Sequence, residues 1–200
     1  MASTQPLTQS TLPTAEELKI ETPINEIQTA PGVTLNDHKS LLVASVLDLF
    51  AGKPSLRKLS LWKPDAIFKD PLTTAEGHKQ YAAQWYGLAA GFSEITRLSH
   101  TVTSAGNPIT LDLKTKYVVK GIGAEKTVAS IVEIWVDENG SGKIEKVQDK
   151  WDGEINEGPF KQLTFSVSMS SQALRKMNAV GVPIMVSVPK SIEEEEGKKK

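Results

Sequence analysis

The chain has 200 residues, 39% hydrophobic and 24% charged, so it is long enough and apolar enough for one domain with a real core. A formal net charge of -1 creates no overall field for nucleic acid or an anionic membrane, so no nucleic-acid partner is expected. Cysteine is absent, which removes disulfides, thiolate metal sites and cysteine nucleophiles together.

Residues 1–18 carry neither the basic nor the apolar region of a secretory signal, and no apolar run approaches the length of a membrane span. The expected setting is the cytoplasm, with the nucleus also open, and no membrane association. Residues 1–33 are rich in Thr, Gln, Pro and Ser without a sustained period, which predicts a disordered N-terminal arm. Residues 191–200 contain the charge run IEEEEGKKK and are expected to be a disordered tail.

From Thr34 the pattern becomes periodic. Leu42, Val46, Leu49 and Phe50 share a helical face, with Asn36 or Asp37 as cap, which predicts a helix over 36–51. A shorter helix is expected to open at Pro54, bury Leu56 and Leu59, and end at Pro64. Ala66–Lys69 reads as a short strand. Thr73 and Glu76 have capping-box spacing, and Tyr81, Trp85, Leu88 and Phe92 then recur at helical intervals, predicting a third helix over 76–91. Its aromatic stripe suits core packing better than ligand contact, but Trp85 stays a candidate for the latter.

Beyond Gly91 the period falls to two. Four strands are expected near 93–105, 108–121, 124–137 and 143–153, joined by short Gly-rich turns and therefore antiparallel neighbours. In the third, Val132, Ile134 and Val136 line one face while Ile131 and Trp135 occupy the other. Further on, residues 173–179 suit a short helix, and Val182–Pro189 reads as extended. Residues 156–190 are thus expected to be a C-terminal extension covering the domain or a second copy of it.

Alternation also yields polar candidates for a concave face. His100 falls in phase with Leu98 and Val102, Glu133 with Ile131 and Trp135, and Asp149 with Val147 and Trp151; Thr115 and Tyr117 complete the set. Around an apolar cavity these would form a small-molecule site. Asp149 is the most informative, because a carboxylate in a core-facing position needs a partner. It is either an acid or base acting with His100 or Asp70, or a member of a satisfied buried network. Three histidines at 38, 78 and 100 do not form a metal signature.

This element order, together with LWKPDAIFKDPL, the Gly77-to-Phe92 helix and VEIWVDENGSGKIEKVQDKWDG, resembles the NTF2-like superfamily over residues 35–153. Within it, the SnoaL-like branch of polyketide cyclases and ketosteroid isomerases is the most similar. The resemblance implies an α+β cone over 34–155, three N-terminal helices packed on a strongly bent antiparallel sheet, with a pocket at the wide end. It also implies that Asp70, directly before Pro71, stands where ketosteroid isomerases carry their catalytic base, and that Glu133 lies near their second acid. The chain departs from those enzymes in helix one, since no tyrosine precedes Tyr81.

Two readings of function result. In the first, the chain binds a small apolar, ring-containing or polyketide-like molecule and acts as an isomerase, cyclase or dehydratase without a cofactor. Asp70, Asp149 and His100 would be its acid and base groups; Glu133, Tyr117, Thr115, Trp135, Trp151 and Trp85 would line the ligand. In the second, it is a non-catalytic dimerisation or interaction module. A homodimer is expected in either case, and at Asp70 a plain turn role competes with that of a base.

Overall fold

The computed structural model describes residues 13–121, 123–151 and 187–197. Its elements are α1 (Asp37–Phe50), α2 (Leu56–Leu59), β1 (Trp62–Lys69), β2 (Thr74–Glu76), α3 (His78–Gly91), β3 (Phe92–Ser104), β4 (Ile109–Val119), β5 (Glu125–Val136), β6 (Ile144–Trp151) and α4 (Ile192–Gly197). The expected helix at 173–179 and most of the extension at 156–190 lie outside the described residues.

Helix α1 starts where Asn36 accepts a 2.8 Å hydrogen bond from the Lys39 amide. Every residue from Ser40 to Phe50 is buried, not only the expected face. The run is apolar nearly all round, and such a helix must be covered on all sides. Gly52 ends it at φ +71, a left-handed conformation that favours glycine, and a Cβ there would sit 2.6 Å from Ile95 Cδ1, which would have to move aside.

Helix α2 is a single turn capped by Ser55, shorter than expected, and Pro64 lies within a strand instead of stopping a helix. The pairing of β1 with β6 shifts register between Trp62 and Ile67, and this irregular stretch accommodates a residue without an amide proton. The capping box is also corrected. Glu76 belongs to β2, opposite Ile67, and α3 begins two residues later behind Gly77 at φ +80. The Glu76 amide instead donates to Gln80 Oε1 at 3.2 Å and the Thr73 amide to Asp70 Oδ1 at 2.6 Å, so neither is left for a capping box.

The six strands form one sheet in the order β2-β1-β6-β5-β4-β3. Strands β3 to β6 are sequential antiparallel neighbours, as their short turns require, while β1 joins β6 in parallel, which the expected antiparallel sheet did not include. Register shifts at three places in β3 are irregularities of the type that bends a strand. Val102, Ile109, Leu111, Val132, Ile134, Ile144 and Val147 are fully buried in one core cluster that also contains most of α1. The architecture is mixed α+β with few helices.

The segments at both ends depart from expectation. Residues 13–33 pack on the domain: Leu18 is buried, Ile24–Glu26 form a 3-10 turn, and Thr29 bridges to Val102. Strand β3 is a sheet edge with free backbone groups, and the Gln28 carbonyl and Ala30 amide satisfy those of Val102 at 2.8 Å each. On the other side of the arm, the carboxylate of Asp48 accepts from the Glu21 amide at 2.7 Å and from the Thr22 amide and hydroxyl at 2.9 and 2.7 Å. Part of the charged tail is likewise ordered as α4, held by carboxylates described below.

Candidate functional site

The turn after β1 is built by Asp70. Its Oδ1 accepts from the amides of Leu72 at 2.8 Å and Thr73 at 2.6 Å, and its own amide donates to the Thr73 carbonyl at 2.9 Å. This is the Asx-type turn chemistry expected before a proline. Asp70 continues the inward phase of Ala66 and Phe68. The turn role is therefore real, and it also aims the carboxyl at the inner side of the sheet.

Parallel pairing of Lys69 with Gln148 ends β1 one residue before Asp70, which follows in phase with Asp149 and lies near enough for its charge to act there. Asp149 faces inward opposite Val132 and is buried at 5% exposure. The Trp151 indole donates to its Oδ2 at 2.9 Å, whereas Oδ1 has no hydrogen-bond partner among the described residues. Burial pushes the Asp149 carboxyl up to about 7, the Ser130 hydroxyl and Trp151 indole offset part of the rise, and the charge of Asp70 adds to it. Asp70 is itself pushed up to about 6 by burial, against its two amide donors. Two carboxyls so placed resist ionising together.

Tyr117 and Thr115 occupy the inner face of β4 toward the same end of the sheet. Phe92 packs on the Tyr117 ring at 5.0 Å. Burial raises the Tyr117 hydroxyl above its usual range, and the charges of Asp149 and Asp70 act in the same direction, which places all three groups in one electrostatic neighbourhood. Thr115 Oγ1 is buried without a geometrically sound partner among the described residues. Asp70, Asp149, Trp151, Tyr117 and Thr115 are thus brought together, with Ser130 as a sixth member that sequence reasoning missed. Its inward phase beside Val128 and Val132 was the available signal.

The remaining candidates lie elsewhere. His100 does face inward, but it lies on β3, paired with Leu113 of β4, three strand spacings or about 14 Å from β6. The Gln28 amide donates to its Nε2 at 3.2 Å, and burial together with Arg97 lowers its pKa, so it is a neutral acceptor that docks the arm. Leu98, expected in phase with it, is 49% exposed beside a register shift.

Glu133 and Trp135 stand on the outer face, because Val132 and Ile134 take the inner one. Glu133 pairs with Lys150, and Lys146 lies 4.1 Å over the Trp135 ring. Trp85 is a core residue, 2% exposed and packed against Phe68 at 4.6 Å and Phe50 at 5.1 Å. Glu133→Gln and Trp135→Ala are expected to leave ligand binding and any pH profile unchanged. Trp135→Ala should cost about 1–2 kcal/mol of stability by urea titration, from the half-buried ring together with its cation–π contact.

Among the described residues no group of three His, Asp or Glu side chains is disposed to hold a metal ion. No helix there is long and apolar enough to cross a membrane. A cavity of about 660 Å3 opens away from the carboxyl pair, between the arm, α2 and α4.

No family model and no curated protein matches the chain. Among solved structures, a steroid delta-isomerase from Pseudomonas aeruginosa aligns at 14% identity and a TM-score of 0.49, covering 74% of this chain and 98% of that one. An NTF2-like protein of unknown function from Exiguobacterium sp. 255-15 aligns at 13% identity and TM-score 0.46, covering 56% and 98%. A putative polyketide cyclase from Xanthomonas campestris pv. campestris gives 13% and 0.45, covering 56% and 87%. These neighbours are the ketosteroid isomerase-like, NTF2-like and polyketide-cyclase proteins that the sequence resemblance names, and the reading of the site rests on the geometry above.

Proposed function

We propose that the chain binds a small apolar molecule carrying a carbonyl group and moves a proton on it without a cofactor, as an isomerase, cyclase or dehydratase does. The observation that carries this reading is the pairing of half-buried Asp70 with buried Asp149, neighbours on one face, with Asp149 Oδ1 unpartnered among the described residues. A pair whose pKa values stand near 6 and 7 divides the work of base and acid close to neutrality. Asp70, ionised, takes a proton from carbon next to the carbonyl. Asp149, protonated, donates a hydrogen bond to the oxygen on which negative charge develops, and the Tyr117 hydroxyl offers a second donor. Phe68, Val147 and Trp151 supply apolar surroundings, which suit a ring-containing or polyketide-like ligand.

The test is exchange of α-protons in a panel of cyclic ketones in D2O, followed by NMR. The wild-type chain is expected to exchange them with a narrow optimum between about pH 6 and 7. Asp70→Asn should abolish exchange while retaining the fold. Equal exchange by Asp70→Asn would leave that residue only its turn role. A homodimer through the outer sheet face, where Ile131 and Trp135 are only partly buried, belongs to the same proposal and is read by sedimentation velocity.

A further inference from the structure

Helix α4 is far in sequence from everything it touches. Glu195 is buried at 7% exposure; its Oε1 accepts from the Tyr86 hydroxyl and its Oε2 from the Leu56 amide at 3.1 Å. Glu196 Oε1 accepts from Lys19 Nζ at 2.7 Å and from Arg57 Nη2 and Nε at 3.0 and 3.2 Å. Two adjacent carboxylates therefore grip the N-terminal arm, α2 and α3 at once. Val188, just before the helix, packs against the main core.

The body presents these donors on three separate segments, the arm, α2 and α3. A guanidinium, an ammonium, a phenol and a backbone amide converge on one cleft, and the cavity of about 660 Å3 there is lined by Lys19, Arg57 and Tyr86 with Glu195 and Glu196, and by Lys53 and Lys58, which pair with Glu21 and Asp48. Lys19 holds φ +54 there as the left-handed end of a turn closed by hydrogen bonds from the Lys19 amide to the Glu16 carbonyl at 3.0 Å and from the Ile20 amide to the Ala15 carbonyl at 2.9 Å. The occupant, by contrast, is a six-residue helix, far too short to be stable alone. It becomes ordered by docking.

We propose that this cleft is a recognition site for acidic peptide segments with two neighbouring glutamates, and that the chain's own C-terminal helix is its resident, displaceable occupant. The energetics fit displacement. The Glu196 pairs lie among side chains that are 42% exposed on Glu196, 54% on Lys19 and 34% on Arg57, and such pairs hold weakly and are screened by salt. Glu195 supplies the specific contact through its two charge-assisted hydrogen bonds. Tethering gives the resident helix an effective concentration on the order of mM, so a free peptide of the same chemistry competes poorly until the resident carboxylates are removed.

The probe is a fluorescein-labelled synthetic peptide of residues 187–197, titrated by anisotropy against full-length protein at about 50 mM NaCl. Binding is expected to be at least about tenfold tighter to the full-length Glu195→Gln/Glu196→Gln variant than to wild type, and to weaken about threefold when Arg57→Gln is added. No binding to the double variant, equal affinity for wild type, or indifference to Arg57→Gln would overturn the proposal. A dimer of the wild type that dissociates in the double variant would also overturn it, by assigning the helix to a neighbouring copy. On the unmodified chain, hydrogen exchange at the Leu56 amide should quicken about threefold between about 50 and 500 mM NaCl. An unchanged rate would mean that the occupant is not displaceable.

Discussion

Asp48→Ala is expected to cost about 3–5 kcal/mol of stability, the scale for removing one partner from a buried ion pair. The carboxylate is 1% exposed and lies 2.9 Å from Lys58 Nζ, itself only 2% exposed, so the substitution leaves an ammonium in the interior with the Lys53 carbonyl at 2.9 Å and Glu21 at 3.6 Å. It also removes the acceptor for the Glu21 and Thr22 amides and the Thr22 hydroxyl. Arg97 donates to that same hydroxyl at 3.0 Å, which extends the network to β3. A lower urea midpoint and faster hydrogen exchange at residues 21 and 22 are the measurements. A loss below about 1 kcal/mol would show that water replaces the carboxylate at little cost. Replacing both partners, Asp48→Leu with Lys58→Met, should recover only the part of the loss due to the unpaired ammonium, because the Glu21 and Thr22 donors still lack their acceptor.

The second large effect is at Asp149. Its carboxyl is raised from 3.8 to about 7 in the folded chain, so between those values the folded state binds more protons than the unfolded state. Stability therefore falls as pH rises from about 4 to about 7, and the cost is fully present above pH 7. Asp149→Asn removes it. The variant should be more stable than wild type at pH 8, by on the order of 2–4 kcal/mol, and nearly equal to it at pH 4, where both are neutral. In the same variant the exchange activity proposed above should fall by at least about 10-fold, since an amide is a weaker donor to the developing oxyanion than a carboxylic acid. Thermal melts at the two pH values decide the matter. A loss of stability at pH 8 would mean that ionised Asp149 is well satisfied, and the acid role would fail with it. Gain of stability with loss of activity is the pattern of a site kept at the expense of the fold.

Neither residue stands out equally in the sequence. Asp149 was legible because it interrupts the apolar phase of a strand, and alternation identifies such an interruption directly. Asp48 was not, although it is a lone carboxylate within the apolar run Leu41–Phe50. A helix read as having one buried face leaves room for a wet aspartate. Only the arm and α2, packed over the far side of α1, make that position interior.

The faces of β5 show a related limit. Ile131, Glu133 and Trp135 on one side and Val132, Ile134 and Val136 on the other both read as coverable, and phase alone does not say which faces inward. Pairing of Val132 with Asp149 and Val147 with Ile134 decides it, and Glu133 and Trp135 turn outward as a result. The same lateral information separates His100 from the carboxyl pair. Its phase was read correctly, but three intervening strand spacings are a property of sheet order.

What local pattern determined by itself was the run of elements: α1 and α3 from helical periodicity, the four-strand meander from alternation and Gly-rich turns, and Asp70 as a turn residue before proline. Each of these rests on interactions a few residues long. The tertiary structure alone decided the parallel seam that sets Asp70 beside Asp149, the inward side of β5, and the docking of the N-terminal arm and the glutamates of α4. Those depend on backbone edges and single charged anchors between segments far apart in the chain, and such contacts leave no period in a sequence.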